Sequence, residues 1–337
     1  MAVYKLKEIG KLNYSKSFIN ESNGIFPIYA TSGIVSFTNN PTFEENSIIL
    51  PRVGNFNIFF SSKKHSTKNT AFSYKIDKSK ANSKYIYFKL LKVNLTNENM
   101  GSVVPRLTSS FWNKFKINMP SLKIQNQIID IIKPLEDIEI NLLNIKNKLI
   151  KFLINLYNCS NHNNQISFNS VIKILVSKYE NQINYFATNA VGEMQIDYQK
   201  IINLSEKIPS RANISPWKDS FIFSKLAGEN KIFYFKNKPQ EVFSTGFFNF
   251  KAKHHDHILG FILSDDFKKQ KEYLATGTTM QSINNSSLKL IRLNKPNLKS
   301  SIITTTLYDL ENNLIKIKKL KTKLINLLIK SSSFVTY

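Results

Sequence analysis

Five consecutive residues, Lys253-His-His-Asp-His257, carry three imidazoles and a carboxylate, a donor set that could hold a divalent ion. A metal-dependent nuclease using His254, His255 and His257 is the chemistry such a group would serve. The spacing fits no common ligand pattern, however, and the cluster abuts the apolar run Ile258-Leu-Gly-Phe-Ile-Leu263. A solvated or DNA-facing loop is therefore expected there, and no metal. Asp265-Asp266 reads as a helix cap before Phe267 rather than a pair of metal-binding carboxylates. Cys159 is the only cysteine, which excludes an internal disulfide and a thiolate metal cluster. The chain has no phosphate-binding glycine loop, no dinucleotide fingerprint, no nucleophile elbow and no Asn-Pro-Pro-Tyr type methyltransferase motif. No cofactor is expected in it.

The remaining polar chemistry suits binding. The 337 residues include 47 Lys and Arg against 23 Asp and Glu, a net charge of +24. Such an excess favours a polyanionic partner, most often nucleic acid. Arg106, Thr108, Ser109 and Lys114 cluster in one segment, and Thr278, Thr279, Gln281 and Asn284 in another. These donors and acceptors suit phosphate oxygens and base edges. Arg52 belongs with them. So do the basic, hydroxyl-rich loop bearing Lys63, Lys64 and Lys68, the segment with Ser210, Arg211 and Asn213, and Lys253 and His254. A coiled-coil adaptor with no DNA role is the other alternative to set beside a nuclease.

The two polar segments align with each other. Met100–Pro120 and Thr276–Pro296 lie about 176 residues apart, and Gly101, Ser110, Asn118 and Pro120 fall on Gly277, Ser286, Asn294 and Pro296. A long apolar-periodic stretch follows each copy. In the first, Ile138, Leu142, Ile145, Leu149, Phe152 and Leu156 alternate four and three apart, which predicts a coiled-coil seam. Pro134 should break or kink that stretch, so the long helix is expected to start near it. In the second, Leu310, Leu314, Ile317 and Leu324 keep a heptad register. Burying about six large apolar side chains on each stripe supplies on the order of 10 kcal/mol before entropy is subtracted, so the two helices are expected to pair.

These elements imply an α+β chain of four parts: a mixed domain over 1–120, a helix over 121–158, a second mixed domain over 159–296 and a helix over 297–332. The polar segment 158–165 marks the boundary. In the first domain, Gly24–Gly33, Ile48–Gly54 and Asn57–Phe60 read as strands, while Tyr85–Leu91 fits helix or strand equally. The N-terminal residues lack a signal-peptide run, and no stretch approaches a membrane span, so a soluble, cytoplasmic protein without a membrane partner is expected.

The ordered set of motifs resembles the DNA-specificity subunit of type I restriction-modification enzymes. In the first half the resemblance rests on Phe26–Gly33, Ser47–Gly54, Gly101–Leu107 and Pro120–Ile129; in the second it rests on Ile208–Asn213, Phe243–Phe247 and Gly277–Ile283. It implies a non-catalytic subunit with two target-recognition domains, each reading one half of an asymmetric bipartite sequence. It implies that the two spacer helices pair antiparallel, as a pseudo-two-fold internal repeat. Those helices would also dock two methyltransferase subunits, which bind S-adenosylmethionine, and motor-nuclease subunits would complete the enzyme. Gln125 and Gln127, at the first helix start, join the seam residues as expected partner contacts. The second copy, Pro296–Ile303, lacks these glutamines, so the two helix starts need not engage partners alike.

Overall fold

The computed structural model describes residues 2–14, 21, 23–54, 56–95, 106–160, 164–204, 209–278, 280–297 and 299–329. The chain divides into two compact units, Met1–Asp137 with Lys319–Tyr337, and Ile138–Lys318. Each long helix is thus shared between the units rather than standing as a segment of its own.

The first unit is built on a four-stranded antiparallel sheet in the order Gly10–Asn13, Ala71–Ile76, Ser47–Pro51, Phe59–Ser61. Ser47-Ile-Ile-Leu-Pro51 is buried throughout, as its unbroken apolar run requires of an inner strand. Pro51 closes that strand beyond the last residue paired with Phe59–Ser61, where its missing N–H costs nothing on that side. A second sheet pairs Phe26–Ala30 antiparallel with Gly33–Thr38 and parallel with Ser66–Thr67. Of Tyr85–Leu91, all but the last residue is helix, Ser83–Leu90, with Leu91 as its C-cap; Asn82 caps the start, its Oδ1 accepting from the Lys84 and Tyr85 amides. Ala2–Lys5 pairs with Lys116–Met119. The core gathers Ile48, Leu50, Phe72, Tyr74, Ile86 and Trp112 around Ile129, Ile132 and Ile329 of the long-helix segments.

The second unit repeats this order with different residues. Its main sheet runs Ile172–Ile174, Phe247–Ala252, Ser220–Ser224, Ile232–Phe235, again antiparallel throughout. Its second sheet again contains a parallel pair, Asn184–Phe186 with Val242–Ser244, and adds Ile202–Asn203 and Ala212–Ile214 at its edges. Helix His255–Leu263 takes the place of Ser83–Leu90, and Gln165–Ser167 pairs with Arg292–Asn294 as Ala2–Lys5 does with Lys116–Met119. The core is aromatic, with Phe168, Phe221, Phe223, Phe250, Phe261 and Phe267 in contact.

Two expectations for the helices are corrected. The first long helix, Leu122–Asn158, is continuous through Pro134. One lost hydrogen bond is tolerated because the neighbouring turns are anchored: Ile129 and Ile132 are buried in the core, and Glu136 is ion-paired with Lys84. The seam is also displaced by one residue. Ile138 and Ile145 are 43% and 47% exposed and Leu142 and Leu149 only half-buried, whereas Lys146, Ile150, Leu153 and Tyr157 are buried. One residue turns the buried face by about 100°. Both stripes have four-three spacing, and a lysine counts as an outer residue until its partner is known.

That partner is Glu311 of the second long helix, Ile302–Leu328. Lys146 Nζ lies 2.6 Å from Glu311 Oε2, with both side chains about 5% exposed. In the second unit Ile150 and Leu153 share a core with Leu307, while Lys146, earlier in its helix, meets Glu311, later in the other. The two segments in that unit therefore run antiparallel. Leu314 is buried there, and Leu310 and Ile317 are half-buried. In the first unit Leu324, Ile325 and Leu328 pack on the core that holds Ile129 and Ile132.

Candidate nucleic-acid interface

In the first unit the basic loop at 63–68 is held from beneath by a buried histidine. His65 Nδ1 is 3.3 Å from the Lys63 carbonyl and Nε2 is 2.9 Å from Ser73 Oγ. A carbonyl can only accept, so Nδ1 carries the proton and Nε2 accepts from the serine. Burial is the main cause that lowers the His65 pKa to about 4, with Lys75 adding to it. The ring is therefore neutral at physiological pH. Lys63 and Lys64 are exposed on this support, and Lys68 is half-buried. Lys64 faces Glu44 at 3.3 Å across an exposed pair, which leaves its charge available to a stronger anion.

Arg52 follows the inner strand. Its guanidinium lies over the Tyr14 and Phe72 rings, at 5.5 and 5.9 Å from their centroids, and Nη1 donates to the Asn69 carbonyl. Arg106, Thr108, Ser109 and Lys114 are all exposed. Thr108 Oγ1 accepts from the Phe111 amide and so caps Ser109–Lys114. Behind them Trp112 is fully buried, with Nε1 donating to the Pro51 carbonyl. Residues 101–105 of the first polar segment lie outside the described residues.

In the second unit Thr278, Gln281 and Asn284 are exposed on one loop. Thr276 and Ser282 exchange both backbone hydrogen bonds, which closes the loop. Gly277 has φ +116°, and a Cβ there would stand 2.9 Å from the Met280 carbonyl oxygen, so the turn requires glycine. Asn284 caps Asn285–Leu290, accepting from the Ser286 and Ser287 amides. Thr108 and Asn284, the two caps, stand at equivalent points of the repeat. Ser210, Arg211 and Asn213 are exposed, with Asn213 Oδ1 accepting from the Tyr179 amide. Thr279 and Ile208 lie outside the described residues.

The histidine cluster is a structural element, not a loop. Lys253 is exposed and His254 half-buried, and a helix begins at His255. The side chains then go to separate partners. His255 Nε2 is 3.0 Å from the Ala252 carbonyl, and His257 Nε2 is 2.7 Å from the Asn294 carbonyl. Asp256 accepts from Ser300 Oγ and from the Ile303 and Thr304 amides, which fixes the start of the second long helix. Among the described residues no group of three His, Cys, Asp or Glu could hold a metal ion. Asp265 and Asp266 occupy the first turn of Asp265–Leu274, and the cap is Ser264, whose Oγ accepts from the Phe267 amide.

Gln125 is a correction of another kind. It is fully buried, its Oε1 accepting from the Asn82 amide at 2.9 Å and its Nε2 donating to the Pro120 carbonyl at 2.9 Å. So buried, it presents no surface to a partner, while Gln127 is exposed. The sequence reading overlooked Lys225, which sits in the second unit where Arg52 sits in the first.

Residues 1–151 match the family model described as type I restriction modification DNA specificity domain. The S subunit of the type I restriction-modification system from M. genitalium is similar in fold, with a TM-score of 0.57 and 12% identity over 98% of this chain and 96% of that one. The HsdS subunit from Thermoanaerobacter tengcongensis aligns over 97% of this chain and 94% of its own, at 10% identity and a TM-score of 0.31. No curated protein matches. No helix among the described residues is long and apolar enough to cross a membrane.

Proposed function

We propose that this chain, whose residues 1–151 belong to the type I restriction modification DNA specificity domain family, is a non-catalytic specificity subunit that reads a bipartite DNA target, one part with each unit. The observation that carries this reading is the duplicated frame. The same main-sheet order recurs in both units, and in both it leads to a capped short helix whose entry bears exposed polar side chains, Arg106, Thr108 and Ser109 in one and Thr278, Gln281 and Asn284 in the other. Unlike residues on like frames read unlike sequences, so the two parts of the target differ. Exposed cations at Lys63, Lys64, Arg106 and Lys114, and at Arg211 and Lys253, neutralise phosphates and fix the register. Side chains of the polar loops then reach base edges, each good pair adding about 1–3 kcal/mol of discrimination.

The long helices pair as an antiparallel coiled coil that sets the number of base pairs between the two parts. Their outer faces dock two methyltransferase subunits, which carry S-adenosylmethionine, and through them the motor-nuclease subunits. Ile124, Ile131, Ile138, Ile145 and Phe152 support this docking, since they recur every seven residues on the first long helix and are each about half exposed.

The test is a titration of random-sequence duplex with the full chain across salt concentrations. If six to ten phosphates are contacted, affinity falls roughly 10³–10⁵-fold between about 50 and 200 mM salt. A flat response would reject a DNA-binding role.

A further inference from the structure

Arg52 and Lys225 make the same four contacts in their respective units. The Arg52 amide donates to the Thr70 carbonyl and the Lys225 amide to the Gly246 carbonyl. The Arg52 carbonyl accepts from the Leu107 amide at 2.9 Å, and that of Lys225 from the Ile283 amide at 2.9 Å. Arg52 Nη1 donates to the Asn69 carbonyl at 2.7 Å, and Lys225 Nζ to the Thr245 carbonyl at 2.8 Å. Both cations lie over a ring, that of Phe72 at 5.9 Å and that of Phe248 at 4.9 Å. The partner pairs 69 and 245, 70 and 246, 72 and 248, and 107 and 283 are all 176 residues apart.

The two side chains differ in shape and hydrogen-bonding geometry, yet each joins the same three segments: the exit of the inner strand, the turn before Ala71–Ile76 or Phe247–Ala252, and the entry to the capped short helix. In the second unit the clasp also carries the polar loop, because the Ala227 amide donates to the Gln281 carbonyl and Leu226 bridges Ser282. Both cations are half-buried rather than extended into solvent, and burial lowers the Lys225 pKa. A cation kept for a phosphate would be exposed and free to follow it.

We propose that Arg52 and Lys225 are matched positioning residues, each fixing the loop and capped helix that carry its unit's base-reading side chains, and that neither is a phosphate contact. This rests on the specificity-subunit reading, and its test separates the two. Lys225→Met, Arg52→Met and the conservative Lys225→Arg are compared with the wild-type full chain, in complex with the subunits that copurify with it. Three quantities are measured: the bases enriched from a random duplex pool, the salt dependence on random duplex, and amide exchange without DNA.

Lys225→Met should blur one block of the enriched sequence, leave the other intact and leave the salt slope unchanged. Arg52→Met should blur the other block. Lys225→Arg should restore the wild-type pattern. Without DNA, the Ile283 amide should exchange roughly fivefold faster in Lys225→Met, as loss of one ordinary hydrogen bond permits, while Phe221–Phe223 stay protected. Two intact blocks with a salt slope reduced by about one would make Lys225 a phosphate contact and overturn the proposal. Unchanged exchange at Ile283 would overturn it whatever the DNA result. A wild-type chain that enriches no sequence would instead overturn the specificity-subunit reading, and the exchange measurement would still decide whether the clasp exists.

Discussion

The two units lock the start of their long helices by opposite routes. In the first, the lock comes from the long helix: Gln125 reaches out to the Asn82 amide ahead of Ser83–Leu90 and back to Pro120. In the second, it comes from the short helix: Asp256 of His255–Leu263 reaches to Ser300, Ile303 and Thr304, the last through both amide and hydroxyl. The joint is kept while the residue that makes it changes sides and changes from amide to carboxylate. The missing glutamine of the second copy is therefore not a missing lock. A repeat preserves the need to satisfy buried donors rather than the residues that do so.

The sharpest way to break the symmetry is at Lys146, whose buried partner Glu311 belongs to the second unit. Lys146→Met strands a buried carboxylate and should cost about 3–5 kcal/mol, read as a lower urea midpoint. Lys146→Met with Glu311→Leu should recover most of that loss. Next comes the charged lock. Asp256→Ala leaves several buried donors unmatched and should cost about 3 kcal/mol, with faster amide exchange confined to residues 300–304.

Acid should then charge a histidine shifted by burial in each unit. His65 has a folded pKa of about 4, below its unfolded value near 6.5, because burial disfavours the charged ring. Its folded form binds fewer protons, so stability is full above about pH 6.5 and is lost as the pH falls towards 4, by about 3 kcal/mol in total. His257 is shifted in the same direction by burial. Acid unfolding followed by chemical-shift titration should therefore show the 63–68 loop losing order as His65 charges, and His65→Gln should flatten that part of the profile. The smallest effect is expected at the neutral lock: Gln125→Ala should cost about 1–2 kcal/mol, less than Asp256→Ala. The reverse order in the same urea assay would mean that the two locks are not counterparts.

The frame was largely legible in the sequence, because repeats survive where geometry is demanding. The caps Thr108 and Asn284, the paired strands Lys116–Met119 and Arg292–Asn294, and Gly277 in its left-handed turn all fall at matched offsets. The interior face of the first long helix was not legible. Two apolar stripes share its heptad spacing, and only the buried pair of Lys146 with Glu311 distinguishes them. The roles of Gln125 and Asp256 depend on partners 43 and 44 residues away, Asn82 for Gln125 and Ser300 for Asp256, and local pattern does not reveal such distant contacts. Lys225 escaped notice because one lysine among many has no signature until its counterpart Arg52 is seen in space.

Everything functional turns on whether the duplicated frame reads two separate stretches of DNA. Sequencing the duplexes enriched from a fully random pool by the chain and its copurifying subunits tests this directly. Two unlike blocks of fixed bases, with a constant unread gap between them, are expected. A single contiguous block, or two blocks at variable distance, would contradict it.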